Sequence, residues 1–396
     1  MIESPILETN LLQATDGEIA VINLESARQQ SWSRFWQSPQ RQGIAEHIVE
    51  QEQMSLQFLS DFGALDRLNL LVNQLVRADA EPARIALIRG QVASTTHRFA
   101  EARSCLKTVE MDGTVREAAT RLLLSIDQAC GYRLDAVLKT RRQIAAESGR
   151  LEDLVPLGAL LADLRSFDQA DSIYRHALME YRDVSPFALA WVCFQLGSLW
   201  GELVPETQPD RAEQWYRKAI DYVPSYVKAR VHLSEILLGD GRLEDAEALL
   251  SPVASSGDPE VNWRLADVMV AMGNLPDAEL QMQAARSGFE ELLDKHSLAF
   301  ADHAAEFYSG SGKDPGRAFQ LARINLQNRP TLRAFEQAYE IAIESGKSAE
   351  AVETLFAAEE RWGTTPAFEM SILSVRFQGF SGHNRGRREQ SDAFQS

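Results

Sequence analysis

Cysteine is scarce in this chain: Cys105, Cys130 and Cys193 are the only three in 396 residues. Their wide, unpaired spacing excludes a disulfide framework or a zinc ribbon and fits buried free thiols in a reducing compartment. Long apolar runs are missing too, so no membrane span is expected. The opening MIESPILETNLLQATDGE has neither the basic flank nor the apolar stretch of a signal peptide, and a cytoplasmic location is expected. Basic residues are outnumbered, 40 against 57 acidic ones, for a net charge of -17. That balance excludes a nucleic-acid backbone as main partner and docking on an anionic membrane surface. Seven histidines leave little room for a metal or acid–base site. Phosphate-cradling glycine loops, nucleophile elbows and zinc-protease motifs are absent, and SGSGKDPG, from Ser309, lacks the spacing of a nucleotide loop. No cofactor, no metal and no catalysis are expected.

What the sequence does contain is repetition. Echoes of RLEDAEALL, which begins at Arg242, place an alanine at 102, 136, 170, 212, 246, 278, 318 and 351. The steps are 34, 34, 42, 34, 32, 40 and 33 residues, with helical patterning and no strand signal. A period of that size means a helical repeat array, one elongated domain in which each unit buries its apolar side against its neighbours. Asp258-Pro259 and Asp314-Pro315 mark helix starts, where aspartate caps free amides and proline loses no internal hydrogen bond. Gly273 and Gly346 fall in inter-helix turns, where glycine tolerates positive φ.

The chain divides into residues 1–42, an irregular segment with an aromatic helix; 43–81, a degenerate helical repeat; 82–362, the regular array; 363–380, a closing helix; and 381–396, a disordered polar tail carrying Arg385, Arg387 and Arg388. Two steps are long. SLWGELVPETQPDRA breaks one unit at Pro205 and Pro209, and the stretch between Ala278 and Ala318 extends the helices of another. Insertions in such arrays emerge as loops on one face, where they serve binding or merely lengthen the unit.

The pattern resembles the tetratricopeptide repeat superfamily. Its clearest unit is Tyr226 to Val253 with the preceding RAEQWYRKAIDYVP, in which Ala212, Tyr216, Ala219 and Pro224 match the motif's second helix. Gly90, Gly158 and Gly197 match the small residue of the first helix, Ser234 and Ala266 take that place later, and Ala177 and Ala285 match the later small residue of helix two. Asp127, Glu306 and Tyr339 depart from the pattern. The resemblance covers about residues 83 to 360. It implies an all-α, right-handed superhelix of about eight to nine antiparallel helix pairs, whose first helices line a concave groove for peptides or protein surfaces.

Groove positions by this resemblance are Glu260, Trp263 and Asp267 in one unit and Arg333, Glu336 and Glu340 in another. They are too acidic for the lysine–asparagine clamp with which one subgroup binds acidic chaperone tails. The expected partner is a protein or peptide of basic or mixed charge, met at Trp263, Asp267, Glu336 and Glu340. Trp263 is either an aromatic anchor for that partner or a packing residue between leading helices. Trp32, Phe35 and Trp36, at i, i+3 and i+4, share a face that either caps the first repeat against Leu65 and Leu68 or anchors another chain. Asp302, His303, Glu306 and His296 read as a surface polar cluster, and His232 as an ordinary helix residue. The expected role is a non-catalytic adaptor or scaffold, with participation in a larger complex left open. The alternatives are an accessory, maturation or regulatory subunit of an enzyme complex, or an enzyme without a recognisable motif.

Overall fold

The computed structural model describes residues 14–78, 80–107, 109 and 115–380; residues 1–13 and the expected tail at 381–396 lie outside them. The described residues form helices and connecting turns, with no strand among them. In order, the helices are α1 Gly17–Gln37, α2 Ile44–Leu59, α3 Gly63–Arg77, α4 Pro82–Thr95, α5 Phe99–Lys107, α6 Arg116–Ala129, α7 Leu134–Ser148, α8 Leu151–Asp163 and α9 Phe167–Glu180. They continue as α10 Pro186–Ser198, α11 Pro209–Tyr222, α12 Val227–Gly239, α13 Leu243–Leu250, α14 Pro259–Ala271, α15 Leu275–Ser309, α16 Pro315–Asn328, α17 Leu332–Glu344, α18 Ser348–Trp362 and α19 Pro366–Glu369. Helices adjacent in sequence pack together throughout, as a solenoid requires.

The small-residue register explains the pairing. Ala102, Ala170, Ala212, Ala246, Ala318 and Ala351 are fully buried between helices. Gly197 shows why nothing larger fits: a Cβ there would lie 2.5 Å from the ring of Tyr216, itself buried on the next helix. One position breaks the register. Ala136 is exposed, and the neighbouring Val137 carries the buried contact of its unit. The expected caps are present, since Asp258 Oδ1 accepts from Glu260 N at 3.0 Å and Asp314 Oδ1 from Arg317 N at 2.9 Å.

Several boundaries differ from expectation. The leading segment is not irregular beyond residue 16. α1 is a single 21-residue helix, started by Asp16, whose carboxylate accepts from the amides of Glu18 and Ile19. Residues 363–380 do not make one closing helix: α19 is four residues long, and residues 372–380 form a second helical stretch. The first long step arises because α10 runs on into a π-helical turn, Leu199–Leu203, before Pro209 opens α11. The second arises because α15 is two helices merged across a kink at His296, where φ is -142° and ψ 48°.

The array is less elongated than its period implies, because the superhelix winds back onto itself. Ser60 Oγ donates to Asp258 Oδ2 at 2.6 Å, across 198 positions. Arg165 Nη2 reaches Glu336 at 2.6 and 2.7 Å, across 171 positions. Asn328 Nδ2 donates to the His97 carbonyl at 3.0 Å, across 231. Phe62 meets Phe300 edge to face at 5.1 Å. The turns between paired helices in the first half of the chain therefore seat on the helices of the second half. Their backbone records this job. Ser60, His97 and Arg165 have φ of 52°, 55° and 62°, whereas the matching turns at 241, 273 and 346 use glycine. A non-glycine residue in that region costs about 1–2 kcal/mol, and here each side chain makes a contact across the seam that glycine could not supply. At Gly131 the reverse holds, since a Cβ would lie 2.9 Å from the Trp362 ring.

Candidate functional site

Closure of the superhelix leaves connected spaces between its facing helices, and two of them concern the site. The first is an inner channel of about 420 Å³, walled by His97, His232, Glu260, His303, Glu306 and Arg333 among others. His232 Nδ1 stands 2.7 Å from Glu202 Oε1, and His303 Nδ1 2.7 Å from Glu260 Oε1. Arg329 pairs with Asp302 at 3.1 Å. The side chain of His303 is 43% accessible, and the space it lines is the channel between facing helices. The expected surface cluster of Asp302, His303, Glu306 and His296 is thus corrected. Asp302, His303 and Glu306 face inward, while His296 sits at the kink of α15 beside Asp66, 3.4 Å away. His232 is no ordinary helix residue either.

These pairs fix charge states. Burial opposes a charge on His232, but Glu202, with Glu235 and Glu260, outweighs it and raises the pKa to about 9. For His303 the Glu260 carboxylate dominates over burial and raises it to about 10. Burial alone would push Glu202 up, but His232 holds it down at about 2. His97 goes the other way, since burial, seconded by Arg329, lowers it to about 4.

The unfolded chain returns each histidine to near 6.5. The stability contributed by protonated His232 and His303 is therefore full below about pH 6.5 and is lost as pH rises through about 9 and 10. The contribution of neutral His97 is full above about 6.5 and is lost as pH falls through about 4. The melting temperature is expected to peak between these limbs and decline towards pH 10. His303→Gln should flatten the alkaline limb in a thermal titration; an unchanged alkaline slope would contradict the assignment.

The second space is a wider groove of about 1040 Å³. Its walls come from four places: Arg165 at the seam, the 202–205 end of the π-helical turn, the 306–310 end of α15, and α17 facing residues 370–375. Both long repeat units thus converge on one groove. Arg165 is held by Glu336, and Arg333 stands 4.0 Å from Glu202. Glu306, Glu340 and Glu344 are left with no ion pair among the described residues. Glu306 accepts from Gln337 Nε2 at 3.1 Å and Glu344 from Ser309 Oγ at 2.5 Å. Burial and the neighbouring Glu344 raise the Glu340 pKa, with Arg376 offsetting this in part. Beside these carboxylates, Met370, Ile372 and Val375 are 50%, 39% and 63% exposed. The groove is acidic along one wall and apolar along the other.

Of the residues singled out from the sequence, Glu336 and Glu340 line this groove. Asp267 does not: it accepts from Ser311 Oγ at 2.7 Å and lies beside Arg264. Trp263 is corrected as a groove anchor. It is only 6% exposed, edge-on to Phe307 at 5.4 Å and to Phe289 at 6.4 Å, with the Arg264 guanidinium 3.6 Å above its ring. Phe35 is likewise no exposed anchor, being fully buried with Ile48, Leu68 and Leu71. Trp32 donates to Glu52 at 2.7 Å, and Trp36, stacked on Trp32, remains 51% exposed. Sequence reading missed Glu202, Arg165 and the 370–375 segment. For Arg165 the signal available was a non-glycine residue at a turn position where later units carry glycine.

Residues 205–256 match the tetratricopeptide repeat family model. No curated protein matches the chain significantly. Among solved structures, a tetratricopeptide repeat protein from Parabacteroides merdae is 14% identical, with 69% of this chain and 99% of that one aligned at a TM-score of 0.39. A Rap protein complexed with competence and sporulation factor is 13% identical over 87% and 99% of the two chains, at a TM-score of 0.47. Yeast Tom70 is 12% identical over 94% and 97%, at 0.33.

Proposed function

We infer that this tetratricopeptide-repeat protein is a non-catalytic adaptor that holds a basic or mixed-charge segment of a partner protein in the groove between α17 and residues 370–375. One observation carries the reading: both irregular repeat units, at 202–205 and 306–310, end on the same acidic, apolar-sided groove. Lengthened units that merely filled space would have no reason to meet. Apolar side chains of the partner would cover Met370, Ile372 and Val375, while lysine or arginine would neutralise Glu306, Glu340 and Glu344. A cytoplasmic adaptor within a larger complex is the setting that suits such a surface. An accessory subunit of an enzyme complex would use the same groove in the same way.

Two labelled peptides of equal length and apolar content test this, one carrying Arg and Lys, the other Asp and Glu. At low salt the basic peptide should bind at least about 10-fold more tightly, an advantage that shrinks as salt screens the groove. Glu340→Gln with Glu344→Gln should remove most of that advantage. Equal binding of the two peptides would overturn the reading.

A further inference from the structure

We propose that Arg165 is a competitor built into the recognition groove: it occupies Glu336, the carboxylate a partner's arginine or lysine would take, and a bound partner displaces it and loosens the seam. This rests on the groove being the recognition surface. Four observations support it.

The first is where the pair stands. Glu336 precedes Glu340 by one turn of α17, so it continues the acidic wall of the groove. Arg165 comes from the other half of the chain, from the turn between α8 and α9, 171 positions away. Both residues line the groove, and both also line a smaller space of about 260 Å³ behind it, beside Asp163, Arg329 and Trp362. The bridge is at once a seam contact, a filled position on the acidic wall and part of the partition between the two spaces.

The second is how the pair is made. A single nitrogen, Arg165 Nη2, meets both Glu336 oxygens, at 2.6 and 2.7 Å. That guanidinium makes no other hydrogen bond among the described residues. An incoming arginine can instead offer two parallel N–H bonds, the stronger arrangement. The third is access. Both side chains keep 17% of their surface exposed, so the pair is open to a competitor. Burial and the neighbouring Glu340 raise the Glu336 pKa even with Arg165 and Arg333 beside it, so the bridge leaves this carboxylate short of full compensation. The fourth is a second seat. Asp163, on the same turn as Arg165, accepts from Gln128 Nε2 at 3.1 Å and has no ion pair among the described residues. Burial raises its pKa, and Arg165 is already among the cations that oppose this. A displaced Arg165 therefore has a carboxylate to turn to.

Competition for one carboxylate sets the affinity. If Arg165 leaves Glu336 free about one-tenth of the time, a partner binds about 10-fold more weakly than it would to an empty site. A partner without a basic residue at this place leaves the seam closed.

The test uses the full chain and the labelled basic and acidic peptides at low salt. Four forms are titrated: the unaltered chain, Arg165→Met, which keeps the stem without the charge, Glu336→Gln, and both together. Arg165→Met should bind the basic peptide about 10-fold more tightly than the unaltered chain. Added salt should weaken that binding more steeply, because the peptide now gains an ion pair instead of exchanging one. In the Glu336→Gln background the same substitution should change little. Equal or weaker binding by Arg165→Met, with the preference for the basic peptide retained, would overturn this proposal and leave the adaptor reading intact. No preference for the basic peptide in the unaltered chain would sink both.

Hydrogen exchange of the unaltered chain gives a second reading that needs no variant. The amides of Leu164, Arg165 and Ser166 bond back to α8, in a turn held at a φ of 62° at Arg165. Saturating basic peptide should speed their exchange, because the turn loses the contact that anchors it, and acidic peptide should not. Unchanged or slower exchange at residues 164–166 with the basic peptide bound would show that Arg165 stays on Glu336 and would overturn the proposal.

Discussion

Trp263→Ala is expected to cost about 3–5 kcal/mol of folding stability and to leave the affinity of the folded fraction for a basic peptide unchanged. The ring is 6% exposed and closes a cluster with Phe289, Phe307 and Tyr308 on α15. Truncation would remove its contacts with two phenylalanines and strip the Arg264 guanidinium of the face it covers. Neighbouring backbones cannot collapse into the gap, since Ala304 and Ala305 are already fully buried on the same helix as Phe307. Urea denaturation measures the stability, and peptide titration below the transition measures the affinity. Unchanged stability with weakened binding would restore the anchor role that burial argues against.

Glu52→Gln is the second substitution expected to have a large effect. Glu52 lies on α2 with no accessible surface, and it gathers Arg67 at 2.7 Å, Arg28 at 3.2 Å and the Trp32 indole at 2.7 Å. Removing one member of a buried charge cluster costs about 3–5 kcal/mol. The lower end applies here, because Asp61 remains to pair with both arginines at 2.5 and 2.9 Å. Unlike the loss at Trp263, this one should spread. Ser55 and Asp61, bonded at 3.0 Å, flank the turn from which Ser60 crosses to Asp258. Hydrogen exchange should therefore rise around residues 55–61 and also at the start of α14. Faster exchange confined to α1–α3 would argue that the seam holds without Glu52.

The repeat itself was legible in the sequence because alanine and glycine at a fixed period have one physical use, letting helix axes approach. The buried alanines from Ala170 to Ala351 and the close contact of Gly197 with Tyr216 follow directly. The slip at Ala136 was not legible, because Val137 beside it satisfies the same pattern and only packing chooses between them. The winding of the superhelix was hidden for a deeper reason. Its closure depends on small angular increments between units, which no single residue encodes, and on contacts such as Arg165 with Glu336 that lie 171 positions apart. His303 was therefore read as a surface residue and His232 as an ordinary helix residue. Trp263 shows the converse error. Its place in the repeat was read as groove-facing, but the lengthened α15 covers the ring with Phe289 and Phe307.

The measurement that bears most directly on the account is photo-crosslinking of the partner complex, with a photo-reactive residue placed in turn at positions 375, 36 and 280. Val375 lies on the groove wall, whereas Trp36 and Leu280 are exposed apolar residues that do not line it. The account expects adducts from position 375, on partner peptides in which lysine or arginine adjoins apolar residues. Adducts from 36 or 280 with none from 375 would contradict it.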